Sequence, residues 1–179
     1  MLNNSSVKKI LIIGLGNPGY DNTVHNVGAE FVKRQIENLS AMETRDYYYS
    51  LVCPNILYNF AVSTMNISGN RIHNIIKTNN IKNLIVLYDD IRVKYGEHKM
   101  VFGGSHTGHN GIKSIVEKCS NILPEKDFYR VRIGVGPKPY HMELSNYVLS
   151  KVTEENKKLL MSNYGSTWFD IFHLCKTIL

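Results

Sequence analysis

Long hydrophobic segments are absent from this sequence of 179 residues. The longest apolar run, Ile10 to Leu15, has six residues and includes a glycine, whereas a membrane-spanning helix needs about 20. The segment from Met1 to Val7 has no apolar core, so we expect no export signal. These features predict a protein without a membrane association. We expect it in the cytoplasm, with an organelle as the alternative location.

Cysteine is also scarce. Cys53, Cys119 and Cys175 are odd in number and far apart, which disfavours both a disulfide framework and a zinc ribbon. A chain of this length buries roughly 70% of its unfolded surface and needs no disulfide or metal to fold. We expect one domain over residues 1–179, with a core of about 8–150 and a C-terminal helical segment over 151–179.

No block of five or six like charges occurs, but the basic residues are unevenly placed. Residues 1–70 carry five Lys/Arg and five Asp/Glu, residues 71–132 carry eleven and six, and residues 133–179 carry five and four. The formal net charge is +6, and most of it lies in this middle section. A basic middle section on an otherwise nearly neutral chain indicates a polyanion partner, with nucleic acid the first candidate. An ordinary solvated surface is the alternative.

The hydrophobic pattern alternates between short buried strands and amphipathic helices. A continuous β-branched run at Lys8 to Leu15 predicts a strand, and apolar residues near a 3.6 period predict a helix over His25 to Leu39. Further strands are predicted over 47–52, 56–62, 84–88 and 128–135, and further helices over 68–77, after 111, over 143–149 and from 154. Pro54-Asn55 is predicted to join 47–52 and 56–62 as a hairpin. The fold class is therefore α/β: one three-layer domain whose twisted sheet is mixed, mostly parallel and flanked by helices.

The first predicted strand ends in a glycine motif, Gly14 to Gly19, that satisfies G-x-G-x-x-G. A dinucleotide site would need a helix starting at this turn and an acidic residue on a second parallel strand. Neither is found in the pattern, because the next helix begins only near His25. The glycines instead favour a sharp loop that presents Asn17 at the carboxyl end of the strand.

His25 and the pair Asp89-Asp90 are the candidate acid–base groups. A neutral histidine can take a proton from water if a carboxylate fixes its other ring nitrogen, although His25 alone is also compatible with an ordinary helix residue. Asp89 and Asp90 follow a predicted buried strand, at the end where ligand crevices open in α/β folds. Helix caps or turns are the alternative for such residues.

Histidines and asparagines are concentrated near glycines. His98, His106 and His109 suggest metal ligands, but their spacing lacks the firm geometry of zinc sites, so we expect no metal; phosphate binding and packing are the alternatives. Three loop asparagines offer carboxamides that can bind a peptide backbone, namely Asn17, Asn66 and Asn110. With a histidine and an aspartate they could form a hydrolytic site that uses neither metal nor serine.

Taken together, six blocks resemble the bacterial-type peptidyl-tRNA hydrolases, in the order found in that family and over residues 9–150. They are LIIGLGNPG (11–19), TVHNVG (23–28), TMNISG (64–69), LYDDI (87–91), GSHTGHNGIKSI (104–115) and YRVRIGVGPKP (129–139). The resemblance implies a monomeric enzyme without a cofactor. Its substrate would be peptidyl-tRNA, cleaved at the ester between the peptide and the terminal ribose.

The resemblance also implies site residues. His25 would activate water, Asp89 would hold its imidazole, and Asn17 would bind the substrate beside the ester and help reject free aminoacyl-tRNA. Lys99 and Arg132 match positions that hold the 5′-phosphate of the tRNA end. Further substrate contacts are implied for Tyr20, Met65, Asn66 and Asn110.

Several residues depart from the family pattern. Val24 replaces an arginine, Thr64 an aromatic residue, Arg92 an acid, Val101 a second lysine of the phosphate clamp, and Thr107 a glycine. Two alternative functions stay open, the first because of Thr64 and Val101 and the second because of His106 and His109. One is a relative that has lost turnover and acts as an RNA-binding scaffold of the splicing-factor type. The other is a metallohydrolase that uses the histidine-rich loop.

Overall fold

The computed structural model describes residues 8–179, so the N-terminal stretch on which the export expectation rests lies outside the described residues. The strands are β1 (Ile10–Gly14), β2 (Met42–Glu43), β3 (Tyr48–Ser50), β4 (Cys53–Phe60), β5 (Asn83–Lys94), β6 (His98–Phe102) and β7 (Tyr129–Gly136). The helices are α1 (Val27–Asn38), α2 (Ser68–Asn79), α3 (Asn110–Cys119), α4 (Leu144–Leu149) and α5 (Glu154–Ile178). Short 3₁₀ turns cover Val24–Asn26, Met65–Ile67 and Ser120–Ile122.

The seven strands form one mixed sheet in the order β2-β3-β4-β1-β5-β7-β6. The four central strands are parallel, whereas β2, β3 and β6 pair antiparallel at the two edges. This arrangement confirms the predicted α/β class with a mixed, mostly parallel sheet.

Each face of the sheet is covered by helices. Alternate residues of β1 point to opposite sides, so Ile10 and Ile12 join one buried cluster while Leu11 and Ile13 join the other. The first cluster includes residues of α1, α4 and α5, and the second includes residues of α2 and α3. The molecule is therefore built in three layers.

Two predicted boundaries are wrong. The β3–β4 hairpin turns at Leu51-Val52, and Pro54-Asn55 lie within β4. The predicted strand over 84–88 continues as β5 to Lys94, so Asp89 and Asp90 lie inside a strand rather than after it. Pairing with β7 extends β5 past the apolar run that marks it in the sequence.

The glycines at the end of β1 permit close backbone packing. A Cβ atom on Gly14 would lie 2.3 Å from the carbonyl oxygen of Gly28, and one on Gly28 would lie 2.3 Å from the carbonyl oxygen of Leu87. These contacts hold the start of α1 against β1 and β5. The positive φ of Gly19, 82°, supplies the sharp turn that the sequence predicted.

Two compositional expectations can be compared with the structure. No helix among residues 8–179 is long and apolar enough to cross a membrane. Cys119 and Cys175 are buried, Cys53 is exposed, and all three are free thiols.

Candidate active site

The end of β1 creates the opening in which the candidate acid–base residues meet. β1 stops at Gly14, which pairs with Leu87, whereas β5 continues and carries Asp89 beyond the end of its neighbour. His25 lies in the 3₁₀ turn that precedes α1. Its Nδ1 lies 2.8 Å from Oδ1 of Asp89, so the structure brings these two predicted residues together.

A second histidine contacts the same carboxylate. Nε2 of His109 lies 3.1 Å from Oδ1 of Asp89. Nδ1 of His109 accepts the backbone N–H of Ile112 at 3.3 Å and so caps α3. Because that nitrogen is an acceptor, the proton of a neutral His109 is on Nε2 and is donated to Asp89.

The pKa values of the cluster follow from burial and hydrogen bonding. Burial of Asp89, which is 4% exposed, favours its neutral form, but His109 and His25 outweigh this and hold the pKa of Asp89 well below its usual range. Burial lowers the pKa of His25, and the hydrogen bond and charge of Asp89 more than offset it, so the pKa of His25 is raised above 6.5. Asp89 is therefore an ionised acceptor.

The ionised carboxylate fixes the tautomer of His25. Nδ1 must carry the proton that is donated to Asp89, which leaves Nε2 without a proton whenever the ring is neutral. The His25 side chain is 13% exposed, so it is reachable from solvent while its carboxylate partner is not. This is the arrangement of a general base.

His25 and Asp89 line an open groove with a volume of about 490 Å³. One wall comes from β5 and the histidine-rich loop, and the other from the start of α4. Asn110, the first residue of α3, also lines the groove. Of the predicted carboxamides, it is the one that shares this groove with the histidine and the aspartate.

Asn17 is not among the residues that line the groove, and its carboxamide is held in one orientation. Its Oδ1 accepts the backbone N–H of Met65 at 2.8 Å. Its backbone N–H donates to Oδ1 of Asn26 at 2.8 Å, and its carbonyl accepts from Nδ2 of Asn26 at 2.9 Å. Asn26 follows His25 in the chain, so the two predicted residues are connected through a buried neighbour. Among residues 8–179, the Nδ2 group of Asn17 has no hydrogen-bond partner.

The other predicted substrate residues are less closely connected. Met65 is 4% exposed, so little of its side chain can be reached from solvent. Asn66 and Tyr20 are exposed on neighbouring loops and lie outside the groove that holds the catalytic candidates.

The predicted phosphate residues lie side by side on the basic edge of the sheet. Lys99 of β6 pairs in register with Arg132 of β7. Nε of Arg132 donates to Oδ2 of Asp90 at 2.7 Å, and Asp90 also binds Arg92. Burial raises the pKa of Asp90, but the two arginines outweigh this and lower it to about 2.

The histidines singled out in the sequence do not form a metal site together. His98 binds Asp170 at 2.9 Å, and His106 accepts a backbone N–H within its own loop. The one group among the described residues that could hold a metal is His25, Asp89 and His109, whose ligand atoms lie within 4.8 Å of one another. In the structure both histidines contact the same oxygen of Asp89, Oδ1.

The sequence does not indicate the contacts that His109, Asn26 and Asp90 make in the structure. In the sequence His109 is a candidate metal ligand, with phosphate binding and packing as the alternatives; Asp90 is a candidate acid–base group, and Asn26 is only the neighbour of His25. The signal for His109 was its place directly before a helix, where a side-chain acceptor caps the backbone. Nothing in the spacing showed that this capping residue also contacts Asp89.

Several known proteins are similar to this chain in sequence and in fold. The family model described as peptidyl-tRNA hydrolase matches residues 11–175. The peptidyl-tRNA hydrolase of Sulfurihydrogenibium sp. is 39% identical over 83% of this chain and 82% of its own length, and that of Lawsonia intracellularis is 36% identical over 90% and 84%. The crystal structure of the Acinetobacter baumannii peptidyl-tRNA hydrolase superposes with a TM-score of 0.71 at 27% identity, covering 88% of this chain and 83% of that one.

These matches cover most of the chain and include the segments that carry His25, Asp89 and the three asparagines. They give no support to the alternative of an inactive RNA-binding scaffold. The chain therefore belongs to the peptidyl-tRNA hydrolase family, a family of hydrolases.

Proposed function

We propose that this chain hydrolyses the ester that joins a nascent peptide to the terminal ribose of tRNA, with His25 as the general base. The observation that carries the proposal is the contact of the His25 ring with the buried, ionised Asp89 in an open groove. An ester needs less activation than an amide, so one positioned water and one base suffice. Such a base typically contributes about 10²- to 10⁴-fold.

The reaction follows from the tautomer. Nε2 of His25 takes a proton from water as the water oxygen attacks the ester carbonyl carbon. The tetrahedral intermediate then collapses, the bond to the ribose oxygen breaks, and that oxygen takes the proton from the imidazolium. The products are a peptide with a free carboxyl group and a tRNA with a free ribose hydroxyl.

Asp89 stabilises the charged state of His25. Its negative charge lies against Nδ1 while the ring is an imidazolium, and its hydrogen bond keeps Nε2 directed at the water. His109 donates a second hydrogen bond to the same oxygen and thereby fixes the carboxylate. His109 is a positioning residue because it acts through Asp89.

Asn17 accounts for a preference for peptidyl over aminoacyl substrates. Its Oδ1 is occupied by Met65, so the group it offers is an N–H donor, which matches the carbonyl oxygen of a peptide bond. A free α-ammonium has only donors and would also carry its charge against this group. Asn66 and Asn110 are the further candidates for contacts with the peptide backbone and the terminal adenosine, beside Tyr20 and Met65.

Lys99 and Arg132 are the candidates for the 5′-phosphate of the tRNA, since they lie next to each other and Arg132 is only partly neutralised by Asp90. We further propose that the enzyme is a monomer that acts without metal in the cytoplasm. A relative in Arabidopsis thaliana is named as chloroplastic, so an organelle is the alternative location.

Hydrolysis of an N-acetylated aminoacyl-tRNA by the wild type and by His25→Ala tests the proposal, each with and without a chelator. We expect turnover by the wild type that is insensitive to the chelator and is reduced by about 10²- to 10⁴-fold in the variant. Binding of the substrate by both proteins, measured separately, shows that the variant is folded. Full activity of His25→Ala would contradict the mechanism, and loss of wild-type activity with chelator would favour a metal at His25, Asp89 and His109.

A further inference from the structure

Two departures from the family pattern contact each other at the edge of the groove. Nη2 of Arg92 donates to Oγ1 of Thr107 at 2.6 Å. The resemblance described above implies an acid at position 92 and a glycine at position 107. Both residues line the groove that holds His25 and Asp89, so the two changes alter one wall of the same site.

The conformation of Thr107 indicates that this contact is specific. Its φ of 46° lies in the left-handed region, which a β-branched residue rarely adopts and a glycine adopts freely. The hydroxyl that a glycine would lack is the group that binds Arg92. The loop therefore accepts an unfavourable backbone conformation at a residue that orients the guanidinium.

The charges around Arg92 are not balanced. Asp90 is 4% exposed and is the single carboxylate between two arginines: Oδ2 accepts from Nη2 of Arg92 and from Nε of Arg132, each at 2.7 Å. These three residues together carry about one positive charge, and the carboxylates of Asp89 and Glu143 line the same groove. The side chain of Arg92 is 48% exposed and that of Arg132 is 21% exposed. Nη1 of Arg92 has no partner among residues 8–179, so it can bind an anion in the groove.

The next pair of residues on this face of β6 and β7, Val101 and Arg130, adds no exposed positive charge to the Lys99–Arg132 pair. Val101 lies two residues further along β6, opposite Arg130. Arg130 is 1% exposed and donates to Asp127 and to the carbonyl of Ser105. Its charge is therefore paired inside the protein and does not face an external ligand. The exposed positive charge next to Arg132 is therefore on the side of Arg92 and the groove.

We propose that Arg92 binds a backbone phosphate in the single-stranded 3′ end of the tRNA, between the groove and the Lys99–Arg132 pair. The proposal rests on the proposed function and adds a substrate-binding residue to it. The anions that a peptidyl-tRNA carries near its ester are phosphodiesters, because the carboxyl group of the peptide is esterified. A guanidinium held by Asp90 and Thr107 can donate from its remaining N–H groups to phosphate oxygens.

The test compares two substrates of the wild type, Arg92→Gln and Arg92→Lys. One is an N-acetylated aminoacyl-tRNA, and the other is the same N-acetylated aminoacyl ester of adenosine, which has no phosphate. For Arg92→Gln we expect KM on the tRNA substrate to rise about tenfold with little change in kcat. We expect the dependence of log KM on log salt to become shallower by about 0.7. Kinetics on the adenosine ester should not change, and Arg92→Lys should be intermediate.

Two controls separate charge from structure. Arg34→Gln removes the same charge from α1, on the other face of the sheet, and should leave KM and the salt dependence unchanged. Thr107→Gly removes the contact with Arg92 but keeps the charge, and should raise KM by less than Arg92→Gln. An unchanged KM and salt dependence in Arg92→Gln would overturn the proposal. So would an equal loss on both substrates, because Arg92 would then only support the loop. The proposed function itself fails if the wild type does not hydrolyse the N-acetylated aminoacyl-tRNA.

Discussion

Asn17 offers its substrate an N–H donor because its oxygen is already bound by the backbone of Met65. Asn17→Asp keeps that bond and replaces the donor by a second acceptor. We expect kcat/KM for an N-acetylated aminoacyl-tRNA to fall by about 10²-fold, since a peptide carbonyl would face a carboxylate. The loss on free aminoacyl-tRNA should be smaller, because an ammonium group is attracted to the same carboxylate.

The ratio of the two rates, measured side by side, checks this prediction. Asn22→Asp introduces the same charge into the same loop, and it should leave the ratio as in the wild type. Equal losses on both substrates in Asn17→Asp would show that Asn17 does not select for the peptide.

His109 has two roles that one substitution can separate. In His109→Asn the shorter side chain still supplies a good helix N-cap but no longer reaches Asp89. The carboxylate then has one hydrogen-bond donor fewer, so its charge acts more strongly on His25 and should raise the pKa of His25 further. We expect the acidic limb of the pH–rate profile to move to higher pH and kcat to fall by about tenfold.

Thermal unfolding of His109→Asn should stay within about 1 kcal/mol of the wild type, since the cap is kept. His109→Ala should lose both the cap and the contact with Asp89. A pH profile of His109→Asn identical to that of the wild type would remove the positioning role.

At the scale of elements, the structure shows which parts of the fold have a local signal. The local apolar pattern of the sequence predicts four elements close to their observed positions: β1, α1, α2 and β7. β6 was not predicted, because its half-exposed residues, His98 to Phe102, show no alternation that a sequence reader could detect. It forms by pairing with β7, and the same kind of pairing extends β5 through Asp89 and Asp90.

The active site likewise has residues that the sequence indicates and contacts that depend on long-range packing. His25, Asp89 and the asparagines could be selected from motifs and from the family resemblance. Their connections could not, since the His109–Asp89 and Asn26–Asn17 hydrogen bonds join residues whose proximity depends on how α1, α3 and β5 pack. The groove and the orientation of each carboxamide are products of that packing.

The contact of Gly28 with β5 gives a prediction for the packing of α1. In Gly28→Ala the new Cβ would lie 2.3 Å from the carbonyl oxygen of Leu87, and neither backbone can move without disturbing the sheet. We expect the free energy of unfolding to fall by about 1–3 kcal/mol or more. Activity should also fall, because the turn that carries His25 precedes this residue.

Gly165→Ala is the matched control in urea unfolding. Gly165 lies within α5, and a Cβ atom there would meet nothing within 4 Å. The alanine should stabilise the protein by about 0.5–1 kcal/mol through helix propensity. If Gly28→Ala were as stable as the wild type, the close approach of α1 and β5 would not be required.

At the scale of the whole molecule, the question is whether α5 unfolds together with the rest of the chain. We propose a single domain over residues 1–179, in which the C-terminal helical segment completes the core. Leu160, Trp168, Ile171 and Cys175 of α5 belong to the same buried cluster as β1 and α1. Removing this helix would expose the part of that cluster which α1 and α4 do not cover.

The protein has one tryptophan, and Trp168 on α5 therefore reports on this helix alone. We expect urea unfolding followed by tryptophan fluorescence to coincide with unfolding followed by circular dichroism, as in a two-state transition. A fluorescence transition at clearly lower urea would show that α5 unfolds separately.

The pH–rate profile of Asp89→Asn, compared with that of the wild type, tests the central claim most directly. In the wild type the activity should rise with pH through a midpoint above 6.5, the ordinary pKa of histidine, because the raised pKa of His25 must be passed before Nε2 is free. In Asp89→Asn the carboxylate charge is lost while burial remains, so the midpoint should move to lower pH, and the plateau should fall by about 10²- to 10⁴-fold. A midpoint that does not move when Asp89 is replaced would contradict the assignment of His25 as the base held by Asp89.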